Sequence, residues 1–279
     1  MTRGRFWYGT SSWSEASWSG VFYPSGLPAG EQLTHYATQF ATVEADVTYY
    51  RVPDERLVRG WERKVPAGFR LCAKFPRSIV HGGAEATPDP SKVLVHDAVA
   101  ADLERFLGNM ALLGEKCGPL VLQFPYFNQK VFASAGPFLD RLAVFLERLP
   151  KTFRYGVEVR NKAWIGEPLL ALLRARNVAL VWVDLAYMPH PADLARERDL
   201  VTADFAYARL IGDRKQIDAL TDSFDKIVVD QSARLARWAE LLRATLERGH
   251  EVYTYANNHY AGHAPTTIRE LAALVGDGA

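Results

Sequence analysis

The chain has no excess of charge of either sign: 33 Lys and Arg stand against 32 Asp and Glu, a formal net charge of +1. So weak a net field gathers neither polyanions nor anionic membrane surfaces by long-range attraction, and a nucleic-acid partner is not expected. Cysteine is scarce: Cys72 and Cys117 are far apart and belong to no metal-spaced motif. That usage suits reduced thiols in a cytoplasmic protein better than a disulfide framework. Long apolar runs are missing, since none approaches the roughly 18 residues a membrane span needs, and no membrane partner is expected. At the start, Met1–Arg5 runs straight into Phe6-Trp7-Tyr8-Gly9 without the apolar segment of a secretory signal. No HxH or HExxH spacing links the histidines. No linker or composition shift splits the 279 residues, which are expected to form one domain, 1–279.

What is present in excess is aromatic: 12% Phe, Trp and Tyr, with Trp13, Trp18, Phe22 and Tyr23 gathered in a Ser-, Gly- and Pro-rich loop. Such a loop either stacks a sugar or base or plugs a hydrophobic rim. Short β-branched and apolar runs begin near Phe6, Val43, Arg70, Gly118, Tyr155, Ala179, Phe205 and Glu251, which makes eight predicted strands. Helical sequence follows each. Eight βα units in a chain of this length predict a single (β/α)8 TIM-type barrel. A doubly wound open sheet would want a Gly-rich phosphate turn after its first strand, and Gly9-Thr10-Ser11-Ser12 matches poorly. The loop at residues 76–91 is long enough to draw attention as a functional one. Ser232 is a candidate cap for a helix over 233–248, and Gly249 its stop.

Side chains alternate in and out along a barrel strand, so the polar face of each strand can be assigned. Strand two is expected to run over Val43–Tyr50, with Glu44, Asp46, Thr48 and Tyr50 pointing inward. The same alternation puts Lys74, Gln123, Glu158, Arg160, Asp184, Arg209 and Asn257 inward on strands three to eight, and Thr10 and Ser12 on strand one. Buried charge is costly unless paired, and here it recurs at the C-terminal strand ends, where TIM barrels build their sites. Four inward carboxylates against three cations exceed what a structural polar plug requires. The plug remains the competing explanation.

Glu44 and Glu158 are the candidates for general acid and base, with Asp184 orienting them or a water. Thr10, Trp13, Asp46, Tyr50, Lys74, Gln123, Arg160, Arg209, Asn257, Asn258 and His259 are the candidate substrate-binding residues. Arg209 before Gly212, and Asn257-Asn258-His259 before the helix at Pro265, suggest an anion-binding wall at strands seven and eight. Alternatively, the Asn-Asn-His stretch only caps and turns the chain. Glu44, Glu158, Asp184 and His259 have the ligand types for a divalent ion, although no metal site or other cofactor is required by the spacing. Neither Ser12 nor Cys72 sits in a nucleophile elbow.

Several motifs together resemble the YecE-like family, domain of unknown function 72. They are Gly9-Thr10-Ser11-Ser12-Trp13, Phe22-Tyr23-Pro24, Val43-Glu44 with Thr48-Tyr49-Tyr50-Arg51, Lys74-Phe75-Pro76-Arg77, Gln123-Phe124-Pro125, Glu158-Val159-Arg160, Arg209-Leu210 and Tyr253-Thr254-Tyr255-Ala256-Asn257-Asn258. The resemblance implies a TIM-type barrel and supplies no reaction. This chain departs from it at Ser12, where a glycine is usual, and at Asp46, where asparagine is expected. It departs again at Ile211, where a histidine is common, and at Ala256, where an aromatic is usual. The function expected is an enzyme of hydrolase or lyase type acting on a small polar, anionic or phosphorylated substrate at the barrel mouth. A metal-dependent hydrolase of phosphoesters or sugars is one alternative. A non-enzymatic protein binding a ligand or nucleic acid is the other.

Overall fold

The computed structural model describes residues 2–276; residue 1 and residues 277–279 of the expected 1–279 domain lie outside them. Strands and helices alternate: β1 (Phe6–Thr10), α1 (Gln32–Tyr36), β2 (Thr42–Ala45), α2 (Glu55–Lys64), β3 (Arg70–Lys74), α3 (Arg77–Val80), α4 (His96–Ala111), β4 (Cys117–Gln123), α5 (Ala135–Glu147), β5 (Tyr155–Glu158), α6 (Glu167–Arg174), β6 (Ala179–Leu185), α7 (Pro191–Glu197), β7 (Phe205–Gly212), α8 (Arg214–Leu220), α9 (Ser232–Glu247), β8 (Glu251–Ala256) and α10 (Ala264–Val275). The eight strands hydrogen-bond in the order β1-β8-β7-β6-β5-β4-β3-β2, each neighbouring pair parallel. A parallel bridge between Ser11 and Glu44, with the Ser12 N–H donating to the Glu44 carbonyl at 2.8 Å, brings β1 against β2 and all but closes the ring. The approach needs Gly9, because a Cβ there would lie 2.3 Å from the Thr42 carbonyl oxygen. This is the (β/α)8 barrel predicted from the strand spacing.

Two apolar layers hold it together, separated by the strands. The larger lies between strands and helices and takes the outward residues, such as Val43 and Ala45 on β2 and Leu180 and Trp182 on β6. The smaller fills the barrel: Trp7, Cys72, Val121, Ala179, Val181, Phe205, Tyr207, Tyr253 and Tyr255. Burying both faces explains why these strands read as continuous apolar runs more often than as alternating ones. Among the described residues no helix is long and apolar enough to cross a membrane.

Most predicted element boundaries stand within a few residues. One difference matters for the site. Strand two was expected to reach Tyr50 but stops at Ala45, and Asp46–Tyr49 is a turn of 3-10 helix. The cause is Thr48. Its buried hydroxyl accepts from the Lys74 N–H at 3.0 Å and donates to the Lys74 carbonyl at 2.8 Å, taking the place a strand neighbour would have had. A short helix, α3, forms inside the long loop after β3. Ser232 is the first residue of α9 rather than its cap, and its N–H is taken by Asp230 at 2.8 Å.

Candidate active site

At the C-terminal end of the barrel interior, one guanidinium organises the charge. Arg209, 2% exposed, donates to Glu44 from Nη2 at 2.8 Å and from Nε at 3.2 Å, and to Gln123 from Nη1 at 2.7 Å. The same Nη1 also reaches the Glu158 carboxylate. Glu44 accepts further bonds from the Ser11 hydroxyl at 2.9 Å and the Tyr207 hydroxyl at 2.8 Å. Glu158 accepts from Arg160 Nε at 2.9 Å. Burial alone would push both carboxyls up, but Arg209 outweighs it, helped by Lys74 for Glu44 and by Arg160 for Glu158, and both stay below the usual carboxylate range. Two carboxylates held ionised and this fully bonded have no proton to give.

Toward the mouth the pattern changes. Lys74 ends β3 with 4% exposure, its ammonium in contact with the Asp46 carboxylate and 5.4 Å from the Tyr49 ring centre. Burial, then the nearby Arg209, pushes this amine down to about 7, against the pull of Glu44 and Glu158. The Tyr49 hydroxyl lies 2.9 Å from His81 Nε2. Burial lowers the His81 pKa, and the Arg77 and Arg160 charges lower it further, so the imidazole stays neutral. The same two arginines bear on the Tyr49 phenol, whose pKa burial nonetheless raises. Lys74, Tyr49, His81, Arg77 and Arg160 therefore form one constellation over β2 to β5. Arg77 Nε is buried with no hydrogen-bond partner among the described residues.

Other expected site residues are placed elsewhere. Thr10 does not face inward. It bonds the Tyr36 hydroxyl at 2.9 Å on the helix side, and Ser11 takes the inward position. Asp184 also faces the helices: it bonds Arg234 and Trp238 of α9 and Tyr260, with His190 Nε2 3.5 Å away. On β1 the next residue, Ser11, holds the inward position, and on β6 Ala179 and Val181 set the inward phase, which leaves Asp184 one residue out of register with it. Losing Asp184 leaves Glu44, Glu158 and Asp46 against Lys74, Arg160 and Arg209 among the inward groups. The predicted surplus of acid is absent, and Glu44, Glu158, Asp184 and His259, whose types would suit a divalent ion, are not brought together. Among the described residues no group of three or more His, Cys, Asp or Glu is arranged to hold a metal. Tyr50, expected inward, is 67% exposed beyond the 3-10 turn.

The wall at β7 and β8 is made of caps. The Asn257 side chain accepts from the His259 N–H at 3.0 Å, and Asn258 Oδ1 accepts from the Ala264 N–H at 3.0 Å. His259 is held between Asn257 and Asp218. Arg209, expected to face an anion there, is instead consumed by Glu44, Glu158 and Gln123. The aromatic loop is mostly a plug, since Trp18, Phe22 and Tyr23 are buried against Tyr36, Phe40 and His263. Trp13 differs. It stands edge-on to Trp61 at 5.6 Å and helps line a cleft of about 520 Å³ with Ser12, Leu33, Asp46 and Leu57. This cleft lies outside the ring and meets the charged constellation at Asp46. Ser12 adopts a left-handed backbone, φ 85°, the conformation that favours glycine.

Ser11, Tyr49, Arg77, His81 and Tyr207 are not among the binding or catalytic candidates that alternation and motif spacing single out. Signals existed for two of them, since Arg77 closes the Lys74-Phe75-Pro76-Arg77 motif and His81 follows a strand end. Tyr49 was assigned to the outer face of a strand that ends before it.

The whole architecture has relatives. A DUF72 family protein from Thermotoga maritima superposes with a TM-score of 0.72 at 25% identity, covering 98% of this chain and 100% of its own. One from Enterococcus faecalis gives 0.67 at 18% identity, covering 99% of both chains, and likens the fold alone. UPF0759 protein YecE of Escherichia coli K12 is 33% identical over 160 residues, 57% of this chain. The aligned stretch spans 50% of that relative's length. The family described as protein of unknown function DUF72 matches residues 7–279, and the chain belongs to it.

Proposed function

We propose that this protein is an enzyme of lyase or hydrolase type, acting on a small polar, anionic substrate at the C-terminal mouth of the barrel over β2 to β5. One observation carries the reading. A buried lysine, Lys74, stands at the end of a barrel strand against an acid, Asp46, and Arg77 of the same constellation has an Nε with no hydrogen-bond partner among the described residues. TIM-barrel sites form at this end of the strands. A buried amine in contact with a carboxylate can carry a proton in either direction, and burial brings it down to about 7, in the range where such transfer is efficient. Arg77 and Arg160 supply charge for the anionic part of the substrate. The Arg209 layer beneath fixes Glu158 and, through it, the Arg160 side chain.

A thermal-shift series tests this with phosphate, sulfate, 2-oxo acids and sugar phosphates. The wild type is expected to gain stability with at least one of them. The Arg77→Ala and Arg160→Ala proteins are expected to melt near the wild-type temperature alone and to lose that gain. Equal gains in wild type and both variants would overturn the assignment of the anion to this side of the barrel.

A further inference from the structure

We propose, deepening the reading above and resting on it, that the Lys74 amine is a nucleophile that forms an imine with a small anionic aldehyde or ketone. What separates this from a mere proton relay is attack of the amine on carbon. Lys74 Nζ is the one amine in the constellation. It sits at the strand end, over the Tyr49 ring, with Asp46 in contact. The charged and titratable groups facing it are Asp46, Glu44 and Glu158 on one side of the balance, Arg209 and Arg160 on the other, and the Tyr49 phenol. Two cations beside a buried third favour the neutral amine, which is the form that attacks carbon. Asp46 is in place to take the ammonium proton. The Tyr49 hydroxyl, paired to His81 Nε2 at 2.9 Å, offers a second proton-transfer pair over the same amine.

The step balances without any further reactant. The nitrogen lone pair attacks the carbonyl carbon, and the C=O π pair moves to oxygen, which takes up the proton that Asp46 has drawn from the ammonium. The nitrogen gives its proton to Asp46, producing a neutral carbinolamine. The hydroxyl then leaves as water with the proton returned from Asp46, and the nitrogen lone pair closes the C=N bond. The lysine ammonium and the carbonyl compound become a protonated imine and water, and Asp46 ends ionised as it began. Arg77, whose Nε has no partner among the described residues, and Arg160 hold the substrate's carboxylate or phosphate at the other end. An anionic carbonyl compound is favoured over a neutral one for this reason.

The test is borohydride trapping on the full-length protein, using pyruvate, glyoxylate and dihydroxyacetone phosphate one at a time, followed by peptide mapping. Reduction of the imine fixes the carbon skeleton to nitrogen as a secondary amine. The expected result is a single dominant adduct on Lys74 with at least one probe. Asp46→Asn is expected to slow its formation by about 100-fold, the size of effect a positioned acid–base group gives. Lys74→Arg is expected to abolish it. The wild-type map decides even if a variant fails to fold. Adducts scattered over surface lysines, with none at Lys74, overturn the imine. If anions still stabilise the protein through Arg77 and Arg160 in that case, the mouth remains the substrate site and only the nucleophile is lost. If neither adduct nor stabilisation appears, both proposals fall.

Discussion

The top of the barrel has two sides that look alike in sequence and differ in bonding. Over β7 and β8, Asn257 and Asn258 spend their side-chain oxygens on the His259 and Ala264 N–H groups, and the His259 ring lies between Asn257 and Asp218. Over β2 to β5, Arg77 keeps a buried donor without a partner among the described residues, and the Lys74 ammonium rests against Asp46. Polar residues at a strand end thus divide into those that finish the chain's own hydrogen bonds and those that do not. The second kind has the more bonding capacity to offer a ligand. Between the two sides lies the Arg209 layer, whose charges are spent on one another.

The sharpest way to break this division is at Arg209. Arg209→Ala would leave Glu44 and Glu158 buried without their shared partner, and should destabilise the protein by about 3–5 kcal/mol in urea unfolding. A loss below about 1 kcal/mol would mean the layer is not the structural plug described.

Lys74 offers the next effect, through pH. Its amine is at about 7 in the folded protein against an ordinary 10.5, so between those values the unfolded chain binds the proton that the folded one has released. Stability contributed by this group therefore rises with pH from about 7 toward 10.5 and is smallest below 7. Lys74→Met should flatten that rise in a pH series of unfolding curves. A slope identical to wild type would show that the amine is not depressed.

The smallest effect belongs to the capped side. Asn258→Ala removes one acceptor from the first turn of α10 and should cost about 1 kcal/mol. The anion-induced stabilisation expected through Arg77 and Arg160 should survive it. Were that stabilisation to vanish with Asn258 instead, the two sides would have to exchange roles.

The sequence located the barrel and much of its interior charge. Glu44, Lys74, Gln123, Glu158 and Arg209 were assigned inward from alternation, and all five meet in one network. Alternation failed where a strand's start or end is not marked in its residues. On β1 and β6, runs such as Gly9-Thr10-Ser11-Ser12 and Val183-Asp184-Leu185 carry a polar residue that either face could accept. The helix side accepts Asp184 because Arg234, Trp238 and Tyr260 await it there. Those partners are roughly fifty or more residues away in the chain and invisible to a local pattern. The end of β2 at Ala45 was hidden for a similar reason, since the hydroxyl of Thr48 bonds to the backbone of a different strand. Ser12 is the opposite case. The family resemblance marked a glycine position, and its φ of 85° gives the physical cause.

By itself, then, the sequence determined the number and order of the strands, because eight apolar runs and their helices are local facts of composition and periodicity. It also determined which charged residues the barrel would have to accommodate. Only the tertiary structure decided which of those charges are spent. Whether an arginine or an asparagine is free depends on partners brought together by closing the ring, and closure spends Arg209 and the side-chain oxygens of Asn257 and Asn258 while Arg77 Nε, among the described residues, is left without a partner.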